Sequence, residues 1–203
     1  MTIFQLLLLA VSLIFAYKFF GQVLNVSQKA AEESDDEIMK RQQKSHLQML
    51  KNRFNDLIQR ADDSAKEKDF ENAKKALLEA VKIRPKNEEV LMKLASIFLM
   101  TREYEEAKQY FEKVINIDNH NSHAHSGLAS TLAHLEQYED SVEQYKKALT
   151  IDSNNEITYY NYANLLQKIE KFKEARHHYS IALNINPDFN EAKLEYEKLT
   201  DKE

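Results

Sequence analysis

Small and large apolar residues recur along the chain at a fixed spacing of 34 residues, and the sequence is organised around one aromatic column that starts at Phe70. A period of this length, with small residues where helices would touch, is typical of stacked helical hairpins that bury their apolar faces against one another. The columns are Phe70, Tyr104, Tyr138 and Phe172; Ala61, Ala95, Ala129 and Ala163; Ala73, Ala107, Ser141 and Ala175; Leu77, Phe111, Tyr145 and Tyr179; and Ile83, Ile117, Ile151 and Ile185.

We therefore predict four repeats, at residues 54–87, 88–121, 122–155 and 156–189. Each has a first helix, a break near residue 69, 103, 137 or 171, a second helix and a loop. Asn87, Asn121 and Asn155 stand just before the next first helix, where an asparagine can accept hydrogen bonds from unpaired backbone amides. Residues 190–203 predict a capping helix, with its apolar residues at Ala192, Leu194, Tyr196 and Leu199.

The first 17 residues carry no charged side chain, and the apolar run continues past Lys18. A helix from Ile3 to Phe20 would rise about 27 Å, close to the ~30 Å hydrocarbon thickness of a bilayer. We predict an uncleaved transmembrane anchor at residues 1–24; a cleaved signal peptide and a buried core helix are the alternatives. Basic residues follow the anchor and none precedes it, which favours a cytosolic location for the repeats, with the extracytoplasmic side as the alternative.

Residues 25–34 are small and polar, and they predict a short tether between the anchor and the repeats. Ser34 and Glu37 have the spacing of a capping box, so we expect a helix to begin there. Apolar spacing from Leu47 onward runs into the first repeat, and residues 35–53 therefore predict an extension of its first helix. The mostly polar stretch from Ile38 to Lys44 indicates either a solvent-exposed face or a partner surface.

These columns resemble the tetratricopeptide repeat family over about two-thirds of the chain. The first small residue of each repeat is alanine rather than the commoner glycine, and the proline that often ends a repeat occurs only as Pro85 and Pro187. The resemblance implies an α-solenoid of four helical hairpins and a capping helix. Together with the anchor predicted from the apolar N-terminal residues, the expected fold is all-α, an N-terminal transmembrane helix followed by this α-solenoid. The resemblance also implies that the first helices line a concave, protein-binding groove. The residues expected there are Asn55, Ile58, Asp62, Lys66, Glu89, Met92, Ser96, Leu99, Met100, His123, Ser126, Ser130, His134, Ile157, Tyr160, Asn164 and Lys168.

Several of these groove residues are apolar, which predicts a protein or peptide partner with apolar side chains. Met92 and Tyr160 are the expected anchors, and Asn164 could hold a backbone amide of the partner. Relatives that bind chaperone tails clamp a carboxylate with Lys and Asn from the first repeat, whereas Ile58 and Asp62 hold those positions here, so that ligand is disfavoured. The groove charges nearly cancel, which predicts binding that depends only weakly on salt.

The composition excludes several other functions. With no cysteine and two glycines, the chain has no thiol nucleophile, no Cys-ligated zinc site and no Gly-rich phosphate loop, so we expect no enzymatic activity and no cofactor. Residues 54–203 carry 21 Lys/Arg against 28 Asp/Glu, an excess of acidic residues that disfavours the binding of nucleic acid.

His120, His123 and His125 form a remote candidate for metal binding, but residues two apart on a helix point away from each other. We expect these histidines to lie in a solvated loop and helix start, and His177 and His178 to lie on the surface.

The sequence thus predicts a single-pass, membrane-anchored adaptor that binds a protein segment in its groove and holds it at the cytosolic membrane surface, in the assembly of a membrane or envelope complex. The alternative of the same class is an extracytoplasmic assembly factor or chaperone for secreted or envelope proteins.

Overall fold

The computed structural model describes residues 2–200, which are helical apart from short turns. The chain divides into two compact units, one ending at Arg53 and the other beginning at Phe54. The helices of the described chain are α1 (Ile3–Lys66), α2 (Phe70–Ile83), α3 (Glu88–Met100), α4 (Tyr104–Ile117), α5 (Ser122–His134), α6 (Tyr138–Ile151), α7 (Glu156–Lys168), α8 (Phe172–Ile185) and α9 (Asn190–Thr200).

The first unit begins with a long run of exposed apolar side chains on α1. Within the described residues, α1 from Ala10 onward is the helix that is long and apolar enough to cross a membrane, by a test of length and composition that a signal sequence also passes. None of its most apolar stretch is buried by the rest of the chain. The exposed residues are Ile3, Leu8, Val11, Leu13, Ile14, Phe15, Tyr17, Phe19, Phe20, Val23, Leu24 and Val26.

The helix start expected at Ser34 is wrong, because α1 continues through residues 25–34 without a break. The hydroxyl of Ser27 donates to the carbonyl of Leu24 at 3.0 Å, a bond made inside the helix rather than at a cap. Residues 25–34 contain no glycine or proline, so neither of these helix-breaking residue types interrupts α1 there. A segment that is small and polar in sequence is therefore helical here.

The second unit contains the predicted hairpins. The end of α1 packs with α2 through Leu57, Ala61 and Leu77, and the other hairpins pair α3 with α4, α5 with α6 and α7 with α8. The breaks between paired helices fall at residues 67–69, 101–103, 135–137 and 169–171, as the 34-residue period predicts.

The predicted asparagine caps are confirmed. Asn87 accepts a hydrogen bond from the backbone amide of Val90 at 2.9 Å, and Asn121 and Asn155 accept equivalent bonds at 2.8 and 2.9 Å. Each bond satisfies one of the amides that the first turn of a helix leaves unpaired.

Each first helix ends in a turn that places a non-glycine residue at positive φ. The amide of Asp69 donates to the carbonyl of Ser64 at 2.8 Å, and the same bond recurs in the later hairpins. This closure requires a left-handed residue one position earlier, which is usually glycine because a Cβ costs roughly 1–2 kcal/mol there. The residues are Lys68, Arg102, Glu136 and Glu170, with φ between 60° and 66°.

We expect Glu136→Gly to raise the free energy of unfolding by roughly 0.5–1 kcal/mol, because it removes this strain while it adds freedom to the unfolded chain. The control is Lys146→Gly at an exposed position inside α6, which should lower it by about 1 kcal/mol. Urea unfolding of both variants checks the pair, and a loss of stability in Glu136→Gly would contradict the assigned strain.

The alanine columns are buried as the register requires. Ala95, Ala129 and Ala163 have 0% of their surface exposed and Ala61 has 1%. Among the described residues, however, the largest fully buried side chains include all four of one column, Leu77, Phe111, Tyr145 and Tyr179, each at most 2% exposed. The column from Phe70 to Phe172 opens the second helices and is only half-buried, with Phe172 45% exposed. The core is therefore built around the column that starts at Leu77 and not, as expected, around the column that starts at Phe70. The first residue of a helix lies at the edge of the helical layer, where burial is incomplete.

Helix α9 covers the last hairpin as a capping helix should. Ala192 and Leu199 are buried and α9 contacts α8, whereas Leu194 is 55% exposed and does not contribute to the core. Residues 201–203 of the predicted helix lie outside the described residues.

Candidate functional site

The first helices form one continuous layer of the array. Helix α3 directly approaches α5, and α5 approaches α7. The hydroxyl of Thr158 on α7 donates to Ser126 Oγ on α5 at 3.2 Å. By the resemblance described above, this layer of first helices is the expected concave wall of the array.

The structure places every expected groove residue on this layer, and none is fully buried. Binding at these positions itself stays a prediction. The exposed members are Asn55, Lys66, Glu89, Met100, His123, His134, Ile157 and Lys168. The half-buried members are Ile58, Asp62, Met92, Ser96, Leu99, Ser126, Ser130, Tyr160 and Asn164.

The two expected anchors contribute to the core as well as to the wall. Met92 packs against the core of the first repeats, and the Tyr160 ring lies 4.9 Å from that of Phe189, between ring centres. The free apolar surface of the wall comes instead from Met100 and Ile157, which are 62% and 56% exposed. These two residues can therefore be changed with less risk to the fold.

The two acidic groove residues of the first two repeats, Asp62 and Glu89, both pair with Lys93, a residue that the sequence reasoning missed. Its Nζ lies 2.7 Å from Asp62 Oδ1 and 3.0 Å from Glu89 Oε1. Burial lowers the pKa of Lys93, but its hydrogen bonds with both carboxylates outweigh this and raise the pKa overall. The i, i+4 spacing of Glu89 and Lys93 is the signal that could have identified it.

A cavity of about 240 Å³ opens between α5 and α7. It is lined mainly by Ser130, His134, Tyr145, Asn161, Asn164 and Lys168. Asn161 was not expected, although it directly follows Tyr160 on the same helix. The hydroxyl of Tyr179 donates to Asn164 Oδ1 at 2.6 Å, so that oxygen is engaged inside the array and the Asn164 amide hydrogens are the part available to a ligand.

The end of this cavity combines the His134 imidazole with the cationic side chains of Lys168 and Arg102. The His134 ring stacks on Tyr104 at 4.6 Å between centres, and Lys168 Nζ lies 5.2 Å from the centre of the Tyr138 ring. Desolvation lowers the pKa of His134, and the positive charges of Lys168 and Arg102 lower it further. The positive charges of Lys168 and Arg102 therefore disfavour the protonated form of the imidazole.

The histidine clusters differ from the expectation. His125 is 5% exposed rather than solvated, and its ring nitrogens lie 2.7 Å from Gln144 Oε1 and 3.1 Å from the Asn119 carbonyl oxygen. His178 is half-buried, with its ring centre 4.6 Å from that of Tyr162, and was wrongly expected at the surface. Among residues 2–200 no group of three or more His, Asp or Glu side chains could hold a metal ion.

Comparison with known families agrees with this geometry. Tetratricopeptide repeat models match residues 64–131, 130–170 and 157–189. Residues 64–189 are tetratricopeptide repeats. These matches identify the family to which the repeats belong. Tetratricopeptide arrays are generally scaffolds without catalytic activity.

Solved tetratricopeptide structures share the architecture. A MamA protein superimposes with a TM-score of 0.64 at 18% identity, over 73% of this chain and 81% of that one. Pseudomonas aeruginosa PilF gives 0.67 at 20% identity, over 75% and 70%. YrrB, described as a tetratricopeptide protein with an unusual peptide-binding site, gives 0.61 at 17% identity, over 68% and 71%. No curated protein sequence matches the chain. At these identities the likeness shows the fold alone.

Proposed function

We propose that the chain is a membrane-anchored tetratricopeptide adaptor that binds a protein segment on its concave wall and holds it at the cytosolic membrane surface, where it assists the assembly of a membrane or envelope complex. The observation that carries the proposal is the exposure of Met100 and Ile157 on the inner wall of an otherwise charged array. Exposed apolar side chains on the wall of a groove offer surface that a partner can bury.

The anchor part of the proposal is supported by the apolar start of α1. Phe15, Tyr17 and Val26 are each more than two-thirds exposed, and no other part of the described chain covers the most apolar stretch. Leaving that much apolar surface in water costs free energy, and a bilayer removes the cost. A tether to the membrane raises the local concentration of whatever the wall captures, without any chemistry.

We expect Met100→Ser combined with Ile157→Ser to weaken partner binding about thirtyfold, because each change removes apolar surface worth ~1 kcal/mol at an interface. The matched control is Ile117→Ser with Ile151→Ser, two residues at the ends of second helices that are 42% and 37% exposed. Affinity capture from solubilised membranes measures both. Loss of the partner in the control, with binding retained in the wall variant, would contradict the proposal.

The absence of cysteine allows a clean test of topology. We expect Lys193→Cys, on an exposed position of α9, to resist a membrane-impermeant maleimide in intact cells and to react after permeabilisation. Labelling in intact cells would instead favour the extracytoplasmic assembly factor, and a mature chain that begins after Phe20 would contradict the anchor.

A further inference from the structure

The charges of the concave wall are unevenly distributed once internal pairs are taken into account. In the first two repeats, Asp62 and Glu89 are held by Lys93, and Lys66 lies 3.5 Å from Asp63. In the last two repeats, the ends of the first helices carry His134 and Lys168 beside the cavity. The groove charges nearly cancel when they are counted from the sequence. The charges that remain unpaired on the wall, where a partner would bind, do not cancel.

Arg102, His134 and Lys168 form a cationic corner without an internal counter-ion. No ion pair joins Arg102 or Lys168 to a carboxylate within the described residues. Glu103, the acid next to Arg102, is bound by Lys74 Nζ at 2.7 Å and by the Thr101 hydroxyl at 2.7 Å. Glu136 and Glu170 are exposed in the turns that follow α5 and α7.

Contacts with neighbouring residues hold His134 and Lys168 in place. Tyr104 supports the His134 ring by stacking at an interplanar angle of 5°, and Lys168 Nζ donates to the carbonyl of Ala133 at 3.4 Å. Groups that are already positioned lose little freedom when they bind an anion, and charge-assisted hydrogen bonds are stronger than neutral ones. The adjoining cavity offers Ser130 and Asn161 as further polar contacts.

We propose that the cationic corner of Arg102, His134 and Lys168 binds a carboxylate of the partner segment, a deepening that rests on the proposed binding at the concave wall. The partner is then an extended segment with an acidic side chain at the α5–α7 end and apolar side chains toward Met100 and Ile157. These residues differ from the first-repeat positions of the chaperone-tail clamp, which are Ile58 and Asp62 here.

The test uses the full chain in detergent micelles and two blocked peptides, one of alternating leucine and glutamate and the same peptide with glutamine. We expect the glutamate peptide to bind about tenfold more tightly, and Lys168→Met to reduce this ratio to about one. Lys146→Met is the control, because Lys146 is an exposed lysine on α6, a second helix that does not contribute to the wall. It should leave the ratio unchanged.

A second readout separates binding at the corner from a general effect of charge. A carboxylate beside the imidazole favours its protonated form, so the glutamate peptide should raise the pKa of His134, measured by NMR and assigned with His134→Gln, whereas the glutamine peptide should not. Equal affinities for the two peptides, no binding of either, or an unchanged His134 titration would overturn the carboxylate site. Capture of the cellular partner through Met100 and Ile157 would still support the proposed function in that case.

Discussion

Phe111→Ala is expected to lower the free energy of unfolding by about 3–5 kcal/mol, the largest effect that we expect from a single substitution in this chain. The ring is 2% exposed, and it lies so close to Gly127 that a Cβ there would clash with it. Truncation leaves a cavity between two repeats, and both lose packing because neither buries its face alone.

The matched control for Phe111→Ala is Phe172→Ala, a change of the same residue type in the column that opens the second helices. Because Phe172 is 45% exposed, its loss should cost less than half as much. Urea unfolding followed by circular dichroism compares the two variants. An equal or larger loss in Phe172→Ala would show that the wrong aromatic column has been assigned to the core.

Ala129→Leu is expected to lower the free energy of unfolding by roughly 3 kcal/mol, near the upper end for overpacking. Ala129 has no exposed surface, and the hydroxyl of Ser141 donates to its carbonyl at 2.6 Å across the hairpin. A larger side chain must push α5 away from α6 and thereby stretch that bond. His120→Leu in the exposed loop is the control and should stay within about 0.5 kcal/mol. Similar melting temperatures for the two variants would mean that the repeat register is displaced.

The repeat boundaries could be predicted because the same close contact recurs every 34 residues. Ala95 and Ala129 are both small because two helices touch at each position, and the same small residue recurs in each repeat. The role of Phe70 and its column could not be predicted in the same way. A spacing that recurs along the chain shows that a position is equivalent in each repeat, but it does not show how deeply that position is buried.

The helix through residues 25–34 was missed for a different reason. Small polar residues are modest helix formers and are also common in tethers, so composition alone does not separate the two structures. The absence of any glycine or proline near Ser34 was the more informative signal.

The candidate wall could be predicted in its position but not in its electrostatics. The helical period places Asp62, Glu89 and Lys168 on one layer, and the structure agrees. Whether a charge is free depends on partners about 30 residues away, such as the bond between Lys93 and Asp62. The sequence therefore predicts weak dependence on salt, whereas the unpaired corner at Lys168 predicts that binding of an acidic segment weakens as salt increases.

The most direct test of the adaptor proposal is site-specific photo-crosslinking in native membranes. A photoreactive amino acid replaces Ile157 on the concave wall in one variant and Ile151, at the end of a second helix, in the other. The account predicts one discrete crosslinked protein from position 157, retained in washed membranes, and none from position 151. Crosslinks of the same protein from both positions, or from position 151 alone, would contradict binding on the concave wall.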